Sequence, residues 1–315
     1  MKMISLVVPV YQNENSLIET AKQASKVFYQ CKYDYQIIFI NDGSTDKSLE
    51  ILRSMHKKDP EHIVIINFTR NFGQRMAIAA GLEYAKGDAV GVVSADLQDP
   101  LELLSEMIAT WEEGTKIVMA TRLERQDGFI SDLLSNVFHT FIRKYLLSDY
   151  PKGGSDYWLL DRIVIDEYNQ IKLKNGSCQI SFLRLGYSSK TIDYIRKERI
   201  HGKSQYNFWK RLYNAYGSIL PNSYMPIRLI TGIGLIASIS GFVYAFYVLI
   251  SRIIYSPDVA VEGWTTIVIM ISIFAGLILM SLGIIGEYIW RIYDEIKTTP
   301  RYVVDIIIDD KSKDS

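Results

Sequence analysis

Cysteine is scarce in this chain: Cys31 and Cys178 are the two it has. No disulfide framework is implied, and a reduced, cytosolic catalytic region is the simplest reading. No Cys/His cluster has the spacing of a zinc site. An excess of positive charge is missing too, since 35 Lys and Arg balance 35 Asp and Glu. That balance speaks against a general nucleic-acid binder, and no nucleic-acid partner is expected. No G-x-G-x-x-G follows the first strand-like run, which argues against a dinucleotide cofactor. No G-x-x-x-x-G-K-[ST] occurs, which excludes a P-loop nucleotidase. The N-terminal residues lack the apolar region and cleavage site of a signal peptide. Met1-Lys2-Met3 leads directly into Ile4-Ser5-Leu6-Val7-Val8-Pro9, which reads as a first β-strand.

Charge is also missing from two long stretches, Leu229 to Ile250 and Trp264 to Gly286. Each is long enough, at about 1.5 Å per helical residue, to cross a hydrocarbon core of about 30 Å. A pair of buried core helices is the alternative, but runs this long are hard to hide in a domain of this size. Tyr224, Arg228, Arg252, Tyr255, Trp264, Tyr288, Trp290 and Arg291 flank the runs, as aromatic and basic residues do at membrane interfaces. The pattern reads as a transmembrane hairpin. Arg228, Arg291, Lys297 and Arg301 border the side that carries the large domain, while the connecting loop holds Arg252 with Asp258 and Glu262. The positive-inside bias puts the large domain in the cytoplasm.

What is present in the first part of the chain is an alternation of apolar runs and helical patterns. Ile4–Val10, Gln36–Ile40, Ile63–Phe68, Ala89–Val93 and Lys116–Ala120 read as strands. Glu14–Tyr29, Asp46–Lys57, Gln74–Ala85 and Leu101–Trp111 read as helices. Such alternation predicts an α/β fold with a mostly parallel sheet and helices on both faces. Ligands bind such sheets beyond the carboxyl ends of the strands. Each strand end carries polar residues: Tyr11-Gln12-Asn13-Glu14, Asn41-Asp42-Gly43-Ser44, Arg70-Asn71-Phe72-Gly73-Gln74, Ser94-Ala95-Asp96-Leu97-Gln98-Asp99 and Thr121-Arg122 through Arg125. One of these alone is equally an ordinary turn or helix cap. All of them on one sheet edge form a binding cleft.

The motifs V-V-P-V-Y-Q-N-E (7–14), N-D-G-S-T-D (41–46), R-N-F-G-Q (70–74), A-D-L-Q-D-P (95–100) and H-G-K-S-Q-Y (201–206) resemble family 2 glycosyltransferases of the GT-A fold. Within that family the chain is similar to the polyprenyl-phosphate glycosyltransferases. G-I-I-G-E-Y-I-W-R-I-Y-D-E (283–295) after a two-helix hairpin resembles the bacterial members. The resemblance implies a Rossmann-like GT-A domain over residues 1–205 and an amphipathic juxtamembrane segment over 206–228. It implies a hairpin over 229–290 and a cytoplasmic tail over 291–315, placing the chain at the bacterial inner membrane. It implies inverting transfer of a sugar from a nucleotide-sugar, with uracil as the base, to undecaprenyl or another polyprenyl phosphate. A divalent metal, Mg²⁺ or Mn²⁺, is the implied cofactor. Pro9, Tyr11, Glu14, Asp42, Asn71, Gln74, Ser94 and Arg125 would bind the donor, with Asp42 accepting a hydrogen bond from the base. Asp96 and Gln98 would reach the metal. Asp96, Asp156, Arg122 and Arg199 would serve the chemistry, and Arg199, Lys203 and Ser204 would face the acceptor phosphate.

The chain departs from the family pattern in several places. Ser94 stands where the family turn carries an Asp, and a neutral hydroxyl is a poorer ligand for a hard cation than a carboxylate. Mg²⁺ commonly needs only one or two protein carboxylates when phosphates supply the rest, so a working site of weaker intrinsic affinity is expected. Trp158 stands where Arg is usual and is read as core; Asp156 is kept, to contact the sugar or orient an arginine. No histidine base lies in the cleft motifs, and His201 reads either as a participant or as a solvated side chain. From Lys190 to Arg211 seven Lys or Arg face Asp193 and Glu198, with Tyr206, Phe208, Trp209, Tyr213 and Tyr216 close by. Such a segment suits an interfacial helix near anionic headgroups. Tyr302 to Ile308 reads as a β-strand that needs a partner, from its own sheet or a neighbouring subunit, and a homo-oligomer is expected on that ground. Alternatives are a polysaccharide synthase, disfavoured because Q-x-x-R-W is absent, and a nucleotide-sugar-binding membrane protein without turnover.

Overall fold

The computed structural model describes residues 2–122, 140, 142–144, 147, 149–151, 155–171, 177–195, 225–254, 264–297 and 299–309. These fall into two compact units, Met1–Ala215 with Thr299–Ser315, and Tyr216–Thr298.

The first unit is built on strands β1 (Met3–Val10), β2 (Asp34–Asn41), β3 (Ile63–Phe68), β4 (Ala89–Val92), β5 (Ile117–Arg122), β6 (Tyr157–Asp161), β7 (Ser189–Tyr194) and β8 (Val304–Ile308). Their order in the sheet is β7-β5-β6-β4-β1-β2-β3-β8. β1 runs parallel to β2 and β4, β2 to β3, and β5 to β7, while β6 and β8 pair antiparallel to their neighbours. The helices are α1 (Leu17–Cys31), α2 (Ser48–Lys58), α3 (Gln74–Tyr84), α4 (Leu103–Glu112), α5 (Arg162–Ile171) and α6 (Cys178–Arg184).

β1 explains why the sequence folds this way. Ile4, Leu6, Val8 and Val10 pack into one core with Leu17, Ala24 and Phe28 of α1, Leu52 of α2 and Leu104 of α4. Val7, between them, enters the opposite core with Ala77 and Leu82 of α3, Val164 of α5 and Phe182 of α6. A strand covered on both faces must be apolar nearly throughout, as β1 is; its buried Ser5 donates to Gln36 Oε1 at 3.1 Å. This is the mostly parallel, doubly covered sheet expected.

Two outcomes differ from expectation. β6 inserts antiparallel between β4 and β5, and part of the basic segment, Ser189–Tyr194, is a sheet strand in which Lys190 pairs with Glu113 at 3.6 Å. The tail strand β8 pairs with β3 of its own chain. The unpaired strand that motivated a homo-oligomer therefore has its partner, and that argument lapses.

The second unit consists of α7 (Met225–Ile254) and α8 (Trp264–Ile296), helices of 30 and 33 residues. Gly241 of α7 lies against Phe274 of α8, where an added Cβ would meet the ring at 3.5 Å. Ile236, Phe242, Phe246, Leu279 and Ile292 are exposed. Among the described residues one helix is long and apolar enough to cross a membrane, over Ile273–Ile296; the apolar stretch of α7, Ile230–Tyr244, is shorter.

Candidate active site

The carboxyl ends of β1 to β5 share one edge of the sheet because those strands are parallel or joined through the antiparallel β6. Their loops are tied to one another by side chains gripping backbone. Ser44 Oγ accepts the Gln12 amide at 3.0 Å, and Ser48 Oγ accepts the Asn13 amide at 3.2 Å. The Glu14 amide donates to Asp46 at 3.2 Å, and the Lys47 amide donates back to Glu14 Oε2 at 3.0 Å. Glu14 thus has one carboxylate oxygen engaged within the protein.

Asp42 is 2% exposed. Its two oxygens accept the amides of Phe72 at 2.6 Å and Gly73 at 2.9 Å. Burial raises its pKa above the usual carboxylate value, and the two amide bonds oppose that rise. The side chain expected to meet the nucleobase therefore first holds the R-N-F-G loop. Gly43 (φ +65°) makes the approach feasible, because a Cβ there would collide with the backbone of Arg70 and Asn71. Gly43→Ala is expected to cost about 1–2 kcal/mol in left-handed backbone strain, plus the collision. Gly73 (φ +94°, ψ 149°) lies in a different region that essentially only glycine adopts, so Gly73→Ala should cost about 1–3 kcal/mol in backbone strain although an added Cβ meets nothing within 4 Å. The denaturant midpoint of Gly43→Ala checks this, and a loss no larger than the backbone strain would refute the close packing.

The turn after β4 is gripped on one flank by Ser16, whose hydroxyl donates to the Ala95 carbonyl at 2.5 Å, with Thr20 at 3.5 Å. On the other flank Tyr194, at the end of β7, donates to Asp99 Oδ1 at 2.5 Å. Between them Leu97 adopts φ +58°, a left-handed conformation costly for leucine. The Gln98 amide donates to Asp96 Oδ1 at 3.3 Å. Ser94 and Asp96 are half-buried, while Gln98 and Asp99 are buried.

At the end of β5, Arg122 Nη2 pairs with Asp156 Oδ2 at 3.0 Å, and Arg122 Nε donates to Tyr194 Oη at 3.4 Å. Burial alone would lower the Arg122 pKa; Asp156, Tyr194 and Asp99 outweigh it and hold the guanidinium above its usual value. Trp158 is core, 5% exposed and edge-on to Phe182, with its indole N–H donating to the Ser155 carbonyl at 2.9 Å.

The structure thus brings Asp42 onto the loop of Asn71 and Gln74, which are exposed, and joins Arg122 to Asp156. Pro9 is buried at the end of β1 and Tyr11 is half-buried beyond it. Arg125, Arg199, His201, Lys203 and Ser204, with 206–224 of the juxtamembrane segment, lie outside the described residues. Tyr194, which sequence reasoning passed over, links Asp99 to Arg122. Its signal was the alternation in Ser189-Lys190-Thr191-Ile192-Asp193-Tyr194, where Ile192 and Tyr194 are buried.

Among the described residues no group of three or more His, Cys, Asp or Glu is placed to hold a metal alone. One half-buried carboxylate, Asp96, beside a neutral Ser94 is a hard, oxygen-donor set that suits a divalent ion carried largely by phosphate oxygens. The residues fit a metal of that kind and not a self-sufficient metal centre.

The model of glycosyl transferase family 2 matches residues 5–168. Glycosyltransferase YkcC of Bacillus subtilis is 39% identical over 95% of this chain and 92% of its own. The SfII prophage-derived bactoprenol glucosyl transferase of Shigella flexneri is 33% identical over 96% of this chain and 97% of its own. Among solved structures, glucosyl-3-phosphoglycerate synthase of Mycobacterium tuberculosis, in complex with Mn²⁺, UDP-glucose and phosphoglyceric acid, superposes with a TM-score of 0.50 at 17% identity. That match covers 70% of this chain and 78% of the synthase. With its sheet edge of motif-bearing loops and these relatives along nearly its whole length, the chain is a GT-A glycosyltransferase and belongs to glycosyltransferase family 2.

Proposed function

We propose that this enzyme transfers a sugar, with inversion, from a UDP-sugar such as UDP-glucose or UDP-N-acetylglucosamine to undecaprenyl or another polyprenyl phosphate. The reading rests on one observation above all: Asp96, Arg122 with Asp156, and the loop held by Asp42 stand on the same sheet edge. The bactoprenol glucosyl transferases that align over nearly the full chain support the acceptor, and the UDP-glucose complex of the structural relative supports the donor.

Pro9, Tyr11, Glu14, Asn71 and Gln74 frame the nucleoside, with Asp42 bracing the loop of Asn71 and keeping lone pairs for the base. Asp96, beside Gln98 and Ser94, would hold the divalent ion, Mg²⁺ or Mn²⁺, which would neutralise charge developing on the leaving diphosphate. Arg122, oriented by Asp156, faces the same charge, with Arg125 as a second cation. Arg199, Lys203 and Ser204 receive the acceptor phosphate. One phosphate oxygen forms the new bond to the anomeric carbon as the bond to the diphosphate oxygen breaks. The acceptor monoester has a second pKa of about 6 and is largely dianionic near neutrality, so the step needs no general base. That accounts for the lack of a histidine in the loops that follow β1 to β4. α7 and α8 are read as a membrane hairpin that keeps the catalytic unit on the cytoplasmic face; their lengths and exposed apolar side chains support this.

The test is a transfer assay on the detergent-solubilised full chain with undecaprenyl phosphate and a panel of UDP-sugars, with Mg²⁺, Mn²⁺ or EDTA. Lipid-linked sugar from one donor, lost with EDTA, is expected. No product from any donor, in protein that still binds UDP, would favour the binding-protein reading, for which Ser94 is the one supporting feature.

A further inference from the structure

We propose that the tail strand β8, which follows helix α8, is a positioning element of the donor site, acting through Tyr302 and Asp305 on the loop 70–73. The inference rests on the proposed donor site. It comes from two contacts, one on each face of the sheet, since Asn67 and Phe68 are successive residues of β3.

The first is polar. β8 pairs with β3 as Ile65↔Ile308, Ile66↔Ile307, Asn67↔Ile306 and Phe68↔Val304, with a register shift between Asn67 and Phe68. The shift leaves Asp305 as the extra residue, and bulges of this kind re-aim a side chain. Asp305 Oδ2 accepts from Asn67 Nδ2 at 3.0 Å, and Asn67 Oδ1 accepts from Asn41 Nδ2 at 2.7 Å. Asn41 is 1% exposed and directly precedes Asp42. A continuous line thus joins the tail, β3 and β2 and ends at Asn41, the residue before Asp42, whose carboxylate grips the Phe72 and Gly73 amides.

The second is aromatic. Tyr302 stacks on Phe68 at 5.0 Å and 17°, and Phe68 meets Phe72 edge-on at 5.7 Å. Arg70 lies over the Phe72 ring at 4.2 Å. The Tyr302 hydroxyl donates to Glu83 of α3 at 2.7 Å, and the Thr69 amide donates to the Val303 carbonyl at 3.1 Å. A strand serving only to cover the β3 edge needs neither contact, since backbone pairing does that alone. Both contacts converge on the loop that Asp42 holds.

The experiment is hydrogen exchange on the full chain in detergent, with UDP binding in the presence of Mn²⁺ on the same samples. Tyr302→Ala and Asp305→Ala should each speed exchange at the Phe72 and Gly73 amides, and weaken UDP binding, by about tenfold. Tyr302→Phe keeps the stack and Asp305→Asn keeps an acceptor, so both should stay within about twofold of the parent. In turnover the alanine variants should raise the donor KM while kcat and the acceptor KM hold. Unchanged exchange at 72–73, or loss of protection spread evenly over β5 to β7, would overturn the proposal and leave β8 a plain edge cover. If the parent protein binds no UDP, the donor assignment fails, and the exchange data still decide whether the tail controls the loop.

Discussion

Asp96→Asn is expected to lower turnover by about a hundred- to a thousandfold, the range seen when one preorganised charge-stabilising group is lost. The reason is that the other groups of this turn are neutral, as Gln98 and Ser94 are, or already engaged. Ser94 offers a neutral hydroxyl, and Asp99 is buried and bonded to Tyr194. The substitution keeps an oxygen to accept the Gln98 amide, so the turn and the melting temperature should hold. The loss should persist at saturating Mn²⁺, because the missing negative charge and not the ion supply is limiting. Steady-state turnover across a Mn²⁺ titration, with a melting curve, reads both. Full activity in Asp96→Asn would remove this turn from the metal site.

Arg122→Ala is expected to cost about a hundredfold in turnover, with a far smaller effect on the folded fraction. Its partner Asp156 has a side chain 63% exposed and loses little on unpairing, whereas buried Asp99 loses a nearby cation but keeps its bond from Tyr194. Arg122 itself is 17% exposed and held cationic by its neighbours, so the charge is present throughout the working pH range. Arg122→Lys should recover only part of the loss, since an ammonium cannot reach Asp156 and Tyr194 together as the planar fork does. kcat measured beside the folded fraction settles it. Activity falling only in step with unfolding would make the Arg122–Asp156 pair a structural tie.

The first five strands and four helices were legible because each is a local pattern. Apolar runs in β1, β2 and β3 are required of strands buried on both faces, and the predicted ends lie within a few residues of those found. The clustering of polar motifs after strands was legible for the same reason, given parallel pairing. The insertion of β6 between β4 and β5 was not, because nothing in Tyr157–Asp161 records which strands it joins. β7 was hidden by its charges, which dominate a composition reading although Ile192 and Tyr194 face inward.

The sequence by itself determined the chemistry on offer: carboxylates, arginines and turn residues after strands, two long uncharged runs, and a hydroxyl at Ser94 where a second carboxylate would sit. Those are properties of residue type and near-neighbour spacing. Only the tertiary structure decided which groups meet. Asp42 turns to the amides of Phe72 and Gly73, Arg122 to Asp156 and Tyr194, and the tail to β3 instead of another subunit. Those pairings join residues far apart in the chain. They follow from strand order and register, which the two-sided burial of the central strands selects and no local stretch encodes.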